Sequence, residues 1–431
     1  MTSGMPIVGF SGPDAPDEQD IYKCVRCGLC SQVCPTYVEL GAEPESPRGR
    51  LALMKAVTDG RLGMSQTLVG HLDLCLQCRA CEAVCPSGVP FGRIMESART
   101  QIAGHTQLSW QNRLARFVGF RVLLSHLGLL RTLAWGLKLY QRSGVQAMVR
   151  SVGLLRPVRA LERLEGQLPP LPKFFSPPRN GVIPANGTAQ RRVGMLSGCV
   201  MPLSYGPVNE AMVRVLARNG CEVVVPRNQG CCGALAAHSG ERATARNLAR
   251  RNIDVFLDAG VEAIVVNSAG CGSTMKEYEE LFKEDAVYRE KARRFAAKVR
   301  DVNEYLAALP LNPPTRETPL RVTYQDACHL AHAQRIKEAP RTLLRAIPGV
   351  ELVEMACADM CCGAAGVYTL THQEMSERLL ERKMAHAEAA RPHVIATANP
   401  GCMLQLEIGA RRRGMPVRVA HVVELLDEAY E

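Results

Sequence analysis

Between residues 97 and 161 the chain has no Asp or Glu, although ten Lys or Arg fall in the same stretch. Of 52 basic residues these ten leave 42, against 42 acidic ones, so the net charge of +10 belongs to that one segment. Aromatic residues are sparse at 5%, while a hydrophobic fraction of 47% is ordinary for a globular protein. No run of 18 apolar residues occurs, so no simple membrane-spanning helix is expected. Neither G-x-G-x-x-G nor a P-loop is present, so a flavin or NAD is expected to reside in another chain. Met1 to Asp20 has neither a basic n-region nor an apolar h-region, so no secretory leader is expected. A disulfide framework, which needs an oxidising compartment, then has no setting.

What is abundant is cysteine, 18 in 431 residues. Cys24, Cys27, Cys30 and Cys34 precede Pro35, and Cys75, Cys78, Cys81 and Cys85 precede Pro86. Both runs read C-x2-C-x2-C-x3-C-P, the spacing of two-cluster ferredoxins, where three thiolates hold one [4Fe–4S] cube and the fourth reaches the other. A zinc site has no use for the third and fourth cysteines of such a run. Cross-ligation predicts one cube on Cys24, Cys27, Cys30 and Cys85, and a second on Cys75, Cys78, Cys81 and Cys34. Such a pair carries single electrons.

A length of 431 residues allows two to four domains. The expected divisions are a two-cluster ferredoxin domain (1–104), a basic amphipathic helical segment (105–165), a Pro-rich linker (166–192) and two cysteine-rich repeats (193–310 and 320–431). Within the basic segment, 117–140 groups its apolar residues around Arg121, Arg131 and Lys138. Its length favours a helix. Such a helix can lie on an anionic membrane surface or pack on the protein's own domains or a partner subunit. Nucleic acid is disfavoured, because no reading motif is near.

The repeats show in cysteine positions alone. Cys199, Cys231, Cys232 and Cys271 match Cys328, Cys361, Cys362 and Cys402 at offsets of 129 to 131 residues. Cys221 and Cys357 have no counterpart, and both read as small buried hydrophobes. Strands are expected over 193–199, 222–226 and 261–271, then over 321–328, 350–355 and 393–402, with helices over 208–220 and 241–259. Val/Ile-rich strands alternating with helices argue for parallel sheets covered on both faces. Ligands of such sheets bind beyond the C-terminal strand ends, where these thiols fall. Presenting two adjacent sulfurs to one object needs a tight turn, which Gly233 and Gly363 can supply. Each repeat is thus a candidate metal centre; a redox disulfide between the adjacent cysteines is the alternative, strained in geometry. His238, His329 and His421 lie near these motifs and read as relays or as satisfied core histidines. Arg48 and Arg50 read as reaching a partner or a cluster, or as pairing with carboxylates.

The chain resembles the iron–sulfur subunits of glycolate oxidase along essentially its full length. The resemblance rests on CVRCGLCSQVCPTY (24–37), SPRGRLALMK (46–55), CLQCRACEAVCPSGVPFG (75–92), CCGAAGVYTL (361–370), TANPGCMLQL (397–406) and HVVELL (421–426). It implies a multidomain α plus α/β fold, with an α-helical ferredoxin domain before two tandem α/β cysteine-rich domains. It also implies FAD-binding partner subunits that oxidise glycolate to glyoxylate, electron delivery to the quinone pool, and a cytoplasmic protein held peripherally at the inner face of the cell membrane. Iron–sulfur subunits of D-lactate or anaerobic glycerol-3-phosphate dehydrogenase are the neighbouring alternatives, and a heterodisulfide-reductase-like thiol–disulfide reductase, with its site in the cysteine-rich repeats, is the alternative of another class. The cysteine-rich repeats of heterodisulfide reductases, which are thiol–disulfide enzymes, hold non-cubane clusters on five cysteines ending in CxxC. Here Ser268 and Asn399 stand in place of the first of those final cysteines. Each repeat thus offers four thiols, with Cys357 a possible fifth in the second.

Overall fold

The computed structural model describes residues 9–105, 109–155, 162, 165 and 180–430. An α-helical N-terminal domain precedes two α/β units, as the sequence leads one to expect. Three helices frame the first domain: Pro47–Thr58, Gln66–Asp73 and Phe91–His105. Ser46 and Ser65 start the first two by accepting hydrogen bonds from Gly49 and Leu68 N–H, and Pro47 occupies the first turn, where it loses no bond. Met54, Val57, Leu72, Ile94, Met95 and Ala98 close the core between them. The cysteine runs form one-turn helices at its edge, Leu29–Gln32, Pro35–Leu40 and Ala80–Ala83.

The basic segment is not the single helix expected over 117–140. Trp110–Arg116 runs into a wide π-helical turn, Phe117–Leu123, and a second helix, Leu127–Arg142, departs at 111°. Two features make the bend. Phe120 and Leu124 are buried in the core of the first repeat, and His126 leaves the helical region with φ −124° and ψ 80°. Among the described residues no single helix is long and apolar enough to cross a membrane, although this bent pair passes by length and composition. Residues 166–179 of the expected linker lie outside the described residues.

The linker's end joins a sheet. β1 (Gly181–Ile183) pairs antiparallel with β3 (Cys221–Val225), which lies beside β2 (Arg191–Met195), followed by β4 (Ala263–Val266) and β5 (Val299–Asp301), all parallel. The second sheet is parallel throughout: β7 (Val350–Leu352), β6 (Leu320–Tyr324), β8 (Val394–Thr397) and β9 (Arg418–His421). The two units share one core. Helix Val422–Glu428, which ends the second repeat, packs on Gly206–Arg218, the first long helix of the first repeat. In return Val302–Ala307, which ends the first repeat, packs on Glu338–Arg345 in the second. Each repeat thereby covers apolar surface the other would expose to water.

The strands are shorter than expected. β2 stops at Met195 and β6 at Tyr324, so Cys199 lies in the loop that follows and Cys328 opens the π-helical turn His329–Ala333. Cys271 and Cys402 lie on helices Ala269–Lys276 and Pro400–Arg412, after β4 and β8. A loop past a strand end turns sulfurs toward one point more readily than a strand, whose side chains alternate faces.

Candidate metal centres

Cys24, Cys27, Cys30 and Cys85 line one cavity, so the fourth cysteine of the second run stands with the first three of the first run. Arg48, Gly28, Pro47 and Pro86 complete its wall, together with Cys81 of the other set. Cys27 is exposed and Cys24, Cys30 and Cys85 are half-buried, which leaves this set at the surface. Burial pushes the Cys30 thiol up from its ordinary value. Val89 N–H donates to Cys85 Sγ at 3.4 Å.

The other set lies inside. Cys34, Cys75, Cys78 and Cys81 are all buried. Burial, reinforced by each thiol's neighbours, holds Cys78 and Cys81 well above the ordinary value. Four buried thiols packed near one another fit a set built to ligate metal. The outer thiols spread around one cavity suit a polynuclear cluster, and the residues present fit one.

The loops show how. Arg26 and Gly28 in the first run, and Gln77 and Arg79 in the second, have φ between 53° and 86°. Pairs of left-handed residues curl C-x2-C-x2-C around its interior, and the three that are not glycine hold strained backbone at a site, as functional loops do. Nothing in the residue types marks this. SPRGR supplies the support: Arg50, 1% exposed, bonds Glu45 Oε2 at 2.6 Å, His71 O at 2.7 Å and Thr36 Oγ1 at 3.0 Å, with Cys34 Sγ at 4.0 Å. A Cβ on Gly49 would stand 1.9 Å from Glu43 O, so only glycine lets the helix approach. Arg48 pairs with Glu43 at 2.6 Å while lining the outer cavity. The carboxylate reading holds for both arginines, and each also stands beside cysteine thiols.

Each repeat gathers its four thiols. In the first, Cys231 is held well below its ordinary value by Cys199 and Cys232 donating to it, and Cys232 also meets Cys271. In the second, Cys362 is held low in the same way by Cys361 and Cys402, and Cys361 also meets Cys328. Gly233 and Gly363 take φ of 83° and 85°, the left-handed turn that brings neighbouring sulfurs together. The surroundings differ. Over the first pair stand Tyr278, whose hydroxyl donates to Cys232 O at 2.7 Å, and Asn252, which donates to Cys231 O at 3.0 Å. Beside the second stands Lys383, fully buried, donating to Cys357 O at 2.7 Å and Ala358 O at 3.0 Å. A lysine on the apolar stripe of Leu379, Leu380, Met384 and Ala387 was the available signal for it.

Ser268 and Asn399 meet each other where the repeats join. Ser268 Oγ lies 3.3 Å from Asn399 Oδ1, which also accepts from Gly270 N–H at 3.2 Å, while Asn399 Nδ2 faces Cys402 Sγ at 3.6 Å. Cys221 is buried in β3, as expected for a small hydrophobe. Cys357 is exposed, at φ 51°, so the buried reading fails for it. His421 is fully buried and structural: Nε2 donates to Asn267 O at 3.1 Å and Nδ1 accepts from Val423 N–H at 3.1 Å. His238 pairs with Glu96 at 2.8 Å, and its ring meets His329 edge-on at 5.2 Å. His329 bonds Gln77 O at 3.0 Å, and burial brings its pKa down to about 3.

Comparison with known proteins agrees with this layout. Residues 20–89 match the 4Fe-4S dicluster domain, 111–168 the linker region of the glycolate oxidase iron-sulfur subunit, and 193–276 and 322–407 the cysteine-rich domain. The chain is 42% identical to the probable glycolate oxidase iron-sulfur subunit of Bacillus subtilis (strain 168), covering 96% of this chain and 95% of that one. Identity to the glycolate oxidase iron-sulfur subunit of Escherichia coli (strain K12) is 34%, over 95% and 94%. Lactate utilization protein A of Geobacillus thermodenitrificans (strain NG80-2) is 32% identical over 55% of this chain and 98% of its own length. With two cysteine runs folded into one helical domain, two cysteine-rich units behind it and relatives matching from end to end, the chain belongs to the family of glycolate oxidase iron–sulfur subunits.

Proposed function

We propose that this chain is the electron-transfer subunit of a flavin-dependent glycolate dehydrogenase, taking electrons from FAD in partner subunits and delivering them to the quinone pool. Cys24, Cys27, Cys30 and Cys85 would hold one [4Fe–4S] cluster, and Cys75, Cys78, Cys81 and Cys34 the other. Bound clusters would supply reversible one-electron chemistry. The observation that carries the reading is the cavity on which Cys85 joins Cys24, Cys27 and Cys30. The outer set opens to the surface and suits entry from a flavoprotein, while the inner set is sealed from water. Further, non-cubane clusters are proposed for Cys199, Cys231, Cys232 and Cys271 and for Cys328, Cys361, Cys362 and Cys402. The flavin and the hydroxy acid belong to the partner chains, and lactate is the second candidate substrate through the resemblance to lactate utilization protein A.

Peripheral attachment to the inner face of the cell membrane is proposed through the bent helix pair. Trp110, Leu129, Leu133 and Leu139 are exposed, from 48% to 71%, in a segment with no acidic residue. The test is Cys85→Ser in the native complex: glycolate should still reduce the flavin while quinone reduction falls at least tenfold. EPR should show loss of the cluster on Cys24, Cys27 and Cys30. Loss of the other cluster alone would refute the assignment.

A further inference from the structure

The two repeats stand differently toward the ferredoxin domain, although their cysteine spacing is nearly the same. Cys78 of the inner set shares one buried apolar cluster with Leu76, Ala80, Cys361 and Tyr368, and Cys328 packs against it. Gln77 O, one residue before Cys78, bonds His329, one residue after Cys328, at 3.0 Å. Tyr368 spans the same joint: its hydroxyl donates to Leu74 O at 2.9 Å, and its ring stands near both Cys75 and Cys361.

The first repeat also touches the ferredoxin domain, but through hydrogen bonds and ion pairs that do not include its cysteines. Glu96 pairs with His238, Arg99 donates to His238 O at 3.0 Å, Arg79 pairs with Glu277 at 2.6 Å and Arg93 with Glu280 at 2.8 Å. Its own cysteines sit in a separate core with Phe120 and Leu124.

We propose that the second repeat, and not the first, is the electron-transfer neighbour of the ferredoxin domain, joined to it at Cys78 and Cys328. The proposal rests on the reading that the thiol sets hold clusters. Each event moves one electron: the inner set is oxidised by one, the second repeat is reduced by one, and no bond forms or breaks. Tunnelling favours the nearest acceptor, and Cys328 and Cys361 are the repeat thiols that pack with Cys78.

Full-length chain reconstituted anaerobically with iron and sulfide decides it. Iron at only about eight per chain, the content of two cubes, would sink the underlying reading of the repeats. With more iron bound, the reduced protein should show the inner-set EPR signal split by a second-repeat spin, beyond the splitting from the outer set. Cys361→Ser should remove that additional splitting and leave the ferredoxin signals in place, whereas Cys231→Ser should keep it. If Cys361→Ser disturbs the ferredoxin signals, Cys328→Ser replaces it as the probe. Splitting removed by Cys231→Ser, or absent from the loaded wild-type protein, would overturn the proposal.

Discussion

Arg50 shows how much one side chain organises. Its guanidinium holds a full charge at 1% exposure, balanced by Glu45, itself buried at 7% and shared with His71 Nδ1. Removing one partner of such a pair leaves the other charge buried and uncompensated, typically at about 3–5 kcal/mol. Arg50→Met is therefore expected to destabilise the ferredoxin domain by about that amount in a denaturant titration followed by circular dichroism. A change under about 1 kcal/mol would mean that the pair is solvated in solution. SPRGR was legible as a motif, and its arginines as candidates for a carboxylate or a cluster. That Arg50 would serve Glu45 and lie against Cys34 together was not, because Thr36 and His71, its other partners, are distant in sequence.

Among the elements, the basic segment departs most from expectation. Its charge is less available than composition implies: Lys138 is 6% exposed, and Arg116 and Arg121 pair with Glu241 at 3.0 and 3.5 Å. Arg113, Arg142 and Arg150 stay exposed, and large apolar residues face outward beside them. Leu133→Glu with Leu139→Glu, two sites exposed at 56% and 69%, should lower binding of the full chain to anionic vesicles at least tenfold in a flotation assay. Raising salt should weaken binding as well, because the exposed arginines are screened within about 8 Å at physiological ionic strength. Unchanged flotation would remove this face from membrane contact. The bend itself could not be read, since Phe120 and Leu124 repeat like any helical apolar pair. Only the pocket they enter on the first repeat ends the helix there.

At the scale of the molecule, His421 locks the repeats together by reaching from the second to Asn267 of the first. Burial lowers its pKa to about 4, against the ordinary 6.5, so the folded state refuses a proton that the unfolded chain accepts. Stability from this residue is complete above about pH 6.5 and falls as pH drops toward 4, by up to about 3 kcal/mol. Asp301, fully buried with its pKa raised to about 6, slopes the opposite way, losing stability as pH rises from about 4 to 6. The difference between wild type and His421→Gln isolates the histidine. That difference in melting temperature should shrink steadily from pH 7 to pH 4.5. A constant difference would show that His421 is protonated or solvated in the native protein.

The sequence alone determined the chemistry and the plan. Cysteine spacing is local, and C-x2-C-x2-C-x3-C has few uses, so eight thiols could be divided into two crossed sets before any fold was known. The offset of 129 to 131 residues likewise exposed the repeat, and Val/Ile-rich strands its parallel sheets. The tertiary structure decided everything that depends on which surfaces meet. Equal spacing makes the repeats look interchangeable, yet only the second sets its Cys328 beside Cys78, because one face of each repeat is taken by the other and the ferredoxin domain must share what is left. Packing over hundreds of residues breaks the symmetry that local pattern implies, since burial rewards the total surface removed from water and not resemblance between its parts.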